Sequence, residues 1–142
     1  MKKIFLFAAF MLTTAFAMPL LAEFNSTTVN GDVIVTDTKE GLIWQKTYEA
    51  HKTWQEALDY CEDLTYAGYS DWRLPNKNEL SSLINYEKSG APYSYFPDMP
   101  RSGFWSSSTL SDDTDRAWGV GFYYGNVGYN DKRNDSYVRC VR

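Results

Sequence analysis

The chain has 142 residues, a formal net charge of −4 and an aromatic content of 17%. This length accommodates one domain with a real hydrophobic core. An acidic chain is poorly suited to the phosphate backbone, so its charge argues against nucleic acid as a partner.

The first 22 residues have the character of an export signal. Two lysines precede an apolar run over residues 4–17, which is shorter than the roughly 20 residues that a membrane span needs. Small residues favour cleavage after Ala17 or after Ala22, and an uncleaved N-terminal anchor is the alternative. We therefore expect an exported protein, periplasmic or secreted, with no membrane span once residues 1–22 are removed.

The mature part is more acidic than the whole chain. Residues 1–22 carry two of the 14 basic residues and none of the 18 acidic ones, so 12 basic residues remain and the mature net charge is −6. Tyr and Trp are abundant, and both suit cores as well as sugar-binding surfaces, with core packing the commoner role. A local basic patch stays open as an alternative, formed by Lys132, Arg133, Arg139 and Arg142.

The mature chain is predicted to begin with a tether and a hairpin. Residues 23–31 are polar and unpatterned, so we interpret them as a tether before a single domain over residues 32–142. Two β-rich runs, residues 32–36 and 42–45, flank a turn and predict the hairpin.

A first helix follows the hairpin. Thr53 and Glu56 have the spacing of a capping box, which predicts the helix start. Apolar residues then recur at helical spacing and predict one buried stripe, formed by Trp54, Ala57, Leu58, Cys61 and Leu64.

Cys61 and Cys140 are the only cysteines. In an exported protein an even count predicts a disulfide. The bridge would join residues 79 apart in sequence and tie the first helix to the last strand. A catalytic or metal-binding thiol pair is the alternative.

The segment Asp71-Trp72-Arg73-Leu74-Pro75 is the most informative motif. Pro75 favours extended geometry at Leu74, so the motif approaches the next element as extended chain. We expect Trp72 and Leu74 to be buried and Arg73 to make a charged hydrogen bond.

A second helix is predicted directly after this motif. Asn76 and Glu79 repeat the capping-box spacing, and the apolar pattern carries the helix to about Asn85. Its inward residues are predicted to be Leu80, Leu83 and Ile84.

The rest of the chain predicts strands joined by loops. Residues 86–103 are rich in Gly and Pro and predict a long irregular loop, and Gly125-Asn126 predicts a two-residue hairpin turn. Strands are expected at residues 104–108, 118–124, 127–129 and 137–141, with Trp118, Val120, Phe122 and Tyr124 on one face. The resulting fold class is α+β, with two helices packed on antiparallel strands and long irregular loops.

Catalytic and metal-binding candidates are few. His51 is the only histidine and has no nucleophile motif beside it, so no catalytic triad is predicted. Asp112, Asp113 and Asp115 are weak candidates for calcium ligands, and a solvated acidic turn is the alternative. We expect no cofactor, with calcium as the open alternative.

Three segments, residues 71–80, 104–108 and 137–142, together resemble the C-terminal domain of the Legionella collagen-like adhesin. The resemblance covers roughly residues 32–142. It implies a C-type-lectin-like fold in which N- and C-terminal strands pair, and an architectural role for the Asp71–Pro75 motif. The adhesin that names the group binds sulfated glycans and trimerises through a collagen-like stalk. The present sequence has no collagen-like repeat and is acidic, so the resemblance leaves the ligand and the oligomeric state open.

The resemblance also indicates a function class. We expect a non-catalytic, adhesin-like binding module whose partner is a glycan or a protein on a surface. Its binding surface is predicted on residues 86–103, 111–116 and 125–136, with Tyr95, Tyr129 and Asp131 as candidate contacts. One alternative is a structural or interaction subunit of an envelope assembly. The other is an oxidase like the formylglycine-generating enzyme, a relative in fold, but that enzyme uses a close cysteine pair and the cysteines here are far apart in sequence.

Overall fold

A computed structural model describes residues 24–142, and the predicted export signal lies outside this range. The first sheet has three antiparallel strands in the order β1-β2-β3. Their bounds are Phe24–Val29, Asp32–Asp37 and Leu42–Gln45. The predicted hairpin is therefore confirmed as β2 and β3.

The tether prediction is wrong for residues 24–29, because they form β1 and all six pair with β2. The four middle residues of β1 are exposed, which explains why the segment is polar and shows no alternation. Phe24 anchors its first end by stacking on Tyr95, with ring centroids 4.7 Å apart.

The second sheet has five strands in the order β4-β8-β5-β6-β7. β5 and β8 are parallel, and the other neighbouring pairs are antiparallel. The strand bounds are Glu49–Lys52 for β4, Gly103–Thr109 for β5, Arg116–Gly121 for β6, Asn126–Asp131 for β7 and Ser136–Val138 for β8. β4 was not predicted, since its four residues carry no clear β pattern.

Both helices begin where the capping boxes predict. α1 spans Trp54–Asp63 and buries Ala57 and Cys61. α2 spans only Lys77–Ser81, so the predicted extension to about Asn85 is wrong. The Ser82 hydroxyl donates to the Glu79 carbonyl, and the next two amides bond three residues back rather than four. These tighter turns still bury Leu83 and Ile84 as predicted.

The β6–β7 turn differs from the prediction. It occupies residues 122–125, and Asn126 already pairs with Gly121 as the first residue of β7. The expected common face therefore breaks after Val120. Phe122 is buried within the turn, while Tyr124 is 75% exposed.

The C-terminal residues close the fold against the first sheet. Ile43 and Arg142 exchange two backbone hydrogen bonds, and the Gln45 amide donates to the Cys140 carbonyl. These contacts join the segment after β8 to β3 through an isolated bridge between Trp44 and Val141, whereas β8 itself pairs with β4 and β5. The α+β class is thus established, and the C-type-lectin-like arrangement stays a prediction from the resemblance.

Cys61 and Cys140 form the predicted disulfide, with Cα atoms 5.6 Å apart. Both residues are fully buried in a cluster that contains Trp72 and Trp105. A second buried cluster gathers large side chains between the two sheets, among them Trp44, Leu80, Phe96, Phe104 and Phe122. The disulfide therefore fastens α1 to the C-terminal segment inside the core.

Arg139 is a fully buried cation. Its guanidinium donates to the carbonyls of Gln45 and Lys46 and lies 4.0 Å from the Phe96 ring centroid. Burial lowers the pKa of Arg139 to about 10, so the side chain stays protonated at neutral pH. Arg139 therefore belongs to the core and cannot contribute to a surface basic patch.

Candidate functional site

The Asp71–Pro75 motif is part of the scaffold, as the resemblance implies. Trp72 is 2% exposed and donates from its indole to the Tyr66 carbonyl, and Leu74 is 3% exposed. The Arg73 backbone exchanges two hydrogen bonds with Val141. The motif thus connects the core to the C-terminal segment, and its burial prediction is confirmed.

The side chain of Arg73 completes the start of α2. Both of its terminal nitrogens donate to Glu79, each over 2.7 Å. The Glu79 carboxylate also accepts the Asn76 amide of the capping box. The predicted charged hydrogen bond of Arg73 is therefore a bidentate ion pair that holds α2 in place.

Glu79→Gln is expected to remove a pH-dependent part of the stability. Hydrogen bonds from Arg73 lower the pKa of Glu79 below its usual value. Because the folded-state pKa is the lower one, this contribution is complete above the unfolded pKa of about 4.3 and is lost as pH falls through the folded pKa. Melting temperatures from pH 7 to pH 2.5 should show a wild-type advantage that shrinks below about pH 4. An advantage independent of pH would contradict this role.

The predicted loop surface divides into two regions. The turn at residues 122–125 contacts the loop at residues 86–103 through a hydrogen bond from the Tyr93 amide to the Phe122 carbonyl. The acidic turn instead lies at the other end of the hairpin, where the Lys132 amide donates to the Asp115 carbonyl. β7 has six residues, so its ends lie about 17 Å apart. The loops therefore do not converge on one site.

The first region, here called the β6–β7 surface, consists of Arg116, Trp118, Tyr129, Asp131 and Asn134. Tyr129 is 55% exposed and meets Trp118 edge-on, with ring centroids 5.8 Å apart. The Arg116 guanidinium lies 5.4 Å from the Tyr129 ring centroid. An exposed aromatic face is therefore held between a second ring and a cation.

Polar groups border this aromatic face. The Asp131 carboxylate accepts two side-chain hydrogen bonds from Arg133, at 2.9 and 2.6 Å, and these hold the pKa of Asp131 far below its usual range. The side-chain amide nitrogen of Asn134 donates to the side-chain oxygen of Asn130 over 2.8 Å. A shallow cavity of about 310 Å³ is lined by Arg116, Tyr129, Asn130, Asp131 and Asn134. The arrangement can offer hydrogen bonds next to a stacking face.

Of the three candidate contacts, the structure brings two together. Tyr129 and Asp131 share one face of β7, since each pairs with a residue on the same face of β6. Tyr95 is 37% exposed and stacks on Phe24, and the cavity at Tyr129 and Asp131 does not include it. Tyr95 therefore belongs to the β1 side of the domain.

The second region combines part of the predicted loop at residues 86–103 with two residues, Tyr123 and Tyr124, that the sequence analysis did not assign to the binding surface. We call it the tyrosine patch, and it consists of Tyr86, Tyr93, Arg101, Tyr123 and Tyr124. Tyr86 and Tyr124 are 71% and 75% exposed. A wide cavity of about 550 Å³ lies along four of its members and residues 89–91. The available sequence signal was the Tyr-Tyr pair before Gly125, which was assigned to a strand.

The acidic turn does not assemble a metal centre by itself. Asp113 makes an ion pair with Arg116, at 3.1 Å. Within residues 24–142, no three His, Cys, Asp or Glu side chains are grouped closely enough to hold a metal ion. Calcium binding at Asp112, Asp113 and Asp115 stays a prediction.

The proposed basic patch is dispersed. Arg133 is paired with Asp131, and Arg142 donates to Asp71 over 2.6 and 3.0 Å. The Lys132 ammonium lies 3.8 Å from the Trp54 ring centroid and donates to Thr109. Since Arg139 is buried, these four cations do not form one surface.

The candidate catalytic residues of the sequence analysis were His51 and the two cysteines. His51 is exposed on β4, and its ring lies beside Tyr137, with centroids 6.0 Å apart. Cys61 and Cys140 are both fully buried and bonded to each other, so neither is a free thiol.

The fold and surface define a small α+β domain that is tied internally by one disulfide and exposes aromatic side chains on its second sheet. The chain belongs to the Lcl C-terminal domain family, an adhesin-associated family whose sequence model matches residues 33–142. Among curated proteins, none matches the chain. Neither helix within residues 24–142 is long and apolar enough to cross a membrane.

Proposed function

We propose that this protein is an exported, non-catalytic binding module that recognises a glycan or a protein on a surface, in the manner of an adhesin. The observation that carries the proposal is the β6–β7 surface, where a half-exposed Tyr129 is framed by Trp118 and Arg116 on a rigid hairpin. Membership of an adhesin-associated family and the internal disulfide support export.

The chemistry of the surface favours a saccharide. A Tyr ring offers an apolar face to the C–H groups of a sugar ring, while its hydroxyl reaches water or a ligand hydroxyl. Asn134 and the Asp131–Arg133 pair lie beside that ring with donors and acceptors. Four of the five residues of this surface lie on β6 and β7, so the paired strands fix their relative positions.

Charge favours a neutral or weakly charged saccharide over a sulfated one. The mature chain carries 12 basic and 18 acidic residues, a net charge of −6. Arg116 of this surface and Arg133 beside it are each paired with an aspartate, and the Lys77 ammonium lies 4.6 Å from the Trp118 ring centroid. Little uncompensated positive charge is therefore left for a polyanion.

A glycan array probed with the folded mature protein, with and without calcium, tests the proposal. We expect selective binding to neutral saccharides that survives a chelator, since the described carboxylates form no preassembled metal group. Binding restricted to the calcium condition would assign a ligand role to Asp112, Asp113 and Asp115. No binding under either condition would contradict a glycan ligand.

A structural or interaction subunit of an envelope assembly is the second candidate. The tyrosine patch favours it, because exposed Tyr side chains beside an Arg are typical of protein interfaces. A negative glycan array combined with capture of an envelope protein that Tyr124→Ala abolishes would favour this candidate.

A further inference from the structure

The outer edge of β7 is a free strand edge. Among the strands of residues 24–142, β7 is the last of the five-stranded sheet and pairs only with β6. Its middle side chains are solvent-accessible, with Val127 40% and Tyr129 55% exposed. We propose that two copies of this chain associate through antiparallel pairing of their β7 edges. This inference goes beyond the proposed function, since it concerns assembly.

Alternate residues of β7 direct their backbone N–H and C=O groups away from β6, toward the outer edge of the sheet. Lys132 bonds to Asp115, and hydrogen-bonded pairs alternate in an antiparallel ladder. Asn126, Gly128 and Asn130 therefore bond to β6, and the backbone groups of the three intervening residues point away from the sheet. Two of those three residues are Val127 and Tyr129.

The outward groups of the third, Asp131, are already satisfied. Its amide donates to the Asn130 side chain over 2.9 Å, and its carbonyl accepts the Asn134 amide over 3.0 Å. Within residues 24–142, the amide and carbonyl groups of Val127 and Tyr129 have no such partner on the outer edge. The free edge is therefore a short segment of two donors and two acceptors.

The sequence of this segment is complementary to itself. An antiparallel pairing centred on Gly128 places Val127 opposite Tyr129 of the second copy, and Asn126 opposite Asn130 of the second copy. Aromatic residues opposite β-branched ones stabilise cross-strand pairs. In this register the outward-facing N–H and C=O groups of Val127 in one copy lie opposite those of Tyr129 in the other copy. The same register therefore satisfies both the side chains and the backbone hydrogen bonds.

Charge and shape also favour a second copy as the occupant. Residues 126–130 include no charged side chain, so pairing this segment with its copy brings no like charges together. Gly128 meets Gly128 of the second copy, and a Cβ added there contacts no atom within 4 Å in the present chain. The two copies would form one continuous sheet, with both Tyr129 rings on the same face. Such a pair could bind a surface bivalently.

Charge substitutions at Gly128 test the register. The mature protein, Gly128→Lys and Gly128→Glu are compared by sedimentation velocity from 1 µM to 1 mM, with Thr65→Lys, on an exposed residue after α1, as the matched charge control. Residue 128 would face its own copy in a non-hydrogen-bonded pair, so two side chains of like charge would extend from Cβ atoms about 5 Å apart. We expect a concentration-dependent dimer for the wild type and the control, and a dissociation constant raised at least about tenfold in each Gly128 variant.

An equimolar mixture of Gly128→Lys and Gly128→Glu should restore the dimer, since opposite charges then meet at the axis. Circular dichroism and melting curves check that each variant is folded. A wild type that stays monomeric to 1 mM overturns the proposal. The proposal is also overturned if both Gly128 variants dimerise with the wild-type dissociation constant. It is overturned as well if the equimolar mixture of the two variants does not dimerise. Glycan binding by monomers is measured separately, so failure here leaves the proposed function to its own test.

Discussion

The double variant Cys61→Ala/Cys140→Ala is expected to unfold with a free energy about 4 kcal/mol below that of the wild type. The bridge joins residues that are 79 apart in sequence, so its loss returns a large loop-closure entropy to the unfolded chain. It also releases α1 from the segment that pairs with β3. Urea unfolding of both proteins measures the difference.

The matched control is the wild type unfolded in reducing buffer, which should approach the stability of the double variant. Alanine is preferred to serine because both cysteines are fully buried and a hydroxyl would lack a partner there. A difference below about 1 kcal/mol would show that the bridge contributes little to the fold, well under the usual range.

Trp72→Ala is expected to cost about 3–5 kcal/mol of unfolding free energy. The indole is 2% exposed, packs edge-on against Tyr66 at 5.7 Å and donates to the Tyr66 carbonyl. Its removal leaves a cavity beside the disulfide and takes away one of the two hydrogen bonds that the Tyr66 carbonyl accepts, the other coming from the Tyr69 amide. Tyr124→Ala serves as the control, because that ring is 75% exposed and its loss should change stability by no more than about 0.5 kcal/mol. Equal effects of the two substitutions would contradict a core role for Trp72.

The sequence predicts elements well where a local rule acts alone. Thr53 with Glu56, and Asn76 with Glu79, mark both helix starts through short-range hydrogen bonds, and these hold in the structure. The disulfide was predictable because the chain has two cysteines, which have only one way to pair, behind a segment with the character of an export signal. Burial of Trp72 and Leu74 agrees with the architectural role that the family resemblance implies for their motif.

The failures occur where tertiary contacts override local pattern. β1 is polar along its exposed middle and is specified by pairing with β2, so no periodicity marked it. β4 has four residues, and its His51 adopts φ of 54°, a conformation that no β pattern announces. Arg139 is a cation in the core because carbonyls and the Phe96 ring surround it, which composition cannot reveal.

The candidate site was predicted only in part. Tyr129 and Asp131 were chosen from composition and lie on one face, since their spacing of two residues on a strand requires it. Tyr95 was grouped with them because loops were treated as one surface. The length of β7 separates the two loop groups instead, and the sequence misplaced that strand's start by one residue. Loop proximity depends on strand length and order, which a single sequence specifies weakly.

The most direct test of a binding role for the β6–β7 surface is the affinity of an identified saccharide for a triple variant. Calorimetry compares the mature wild type with Tyr95→Ala/Tyr129→Ala/Asp131→Ala and with Tyr124→Ala as the exposed control. We expect the triple variant to lose at least about 2 kcal/mol of binding free energy, as removal of a hot spot does, and Tyr129→Ala alone to account for most of the loss. Tyr124→Ala should bind as the wild type does. A folded triple variant whose affinity stays within about 0.3 kcal/mol of the wild type would place the binding site elsewhere.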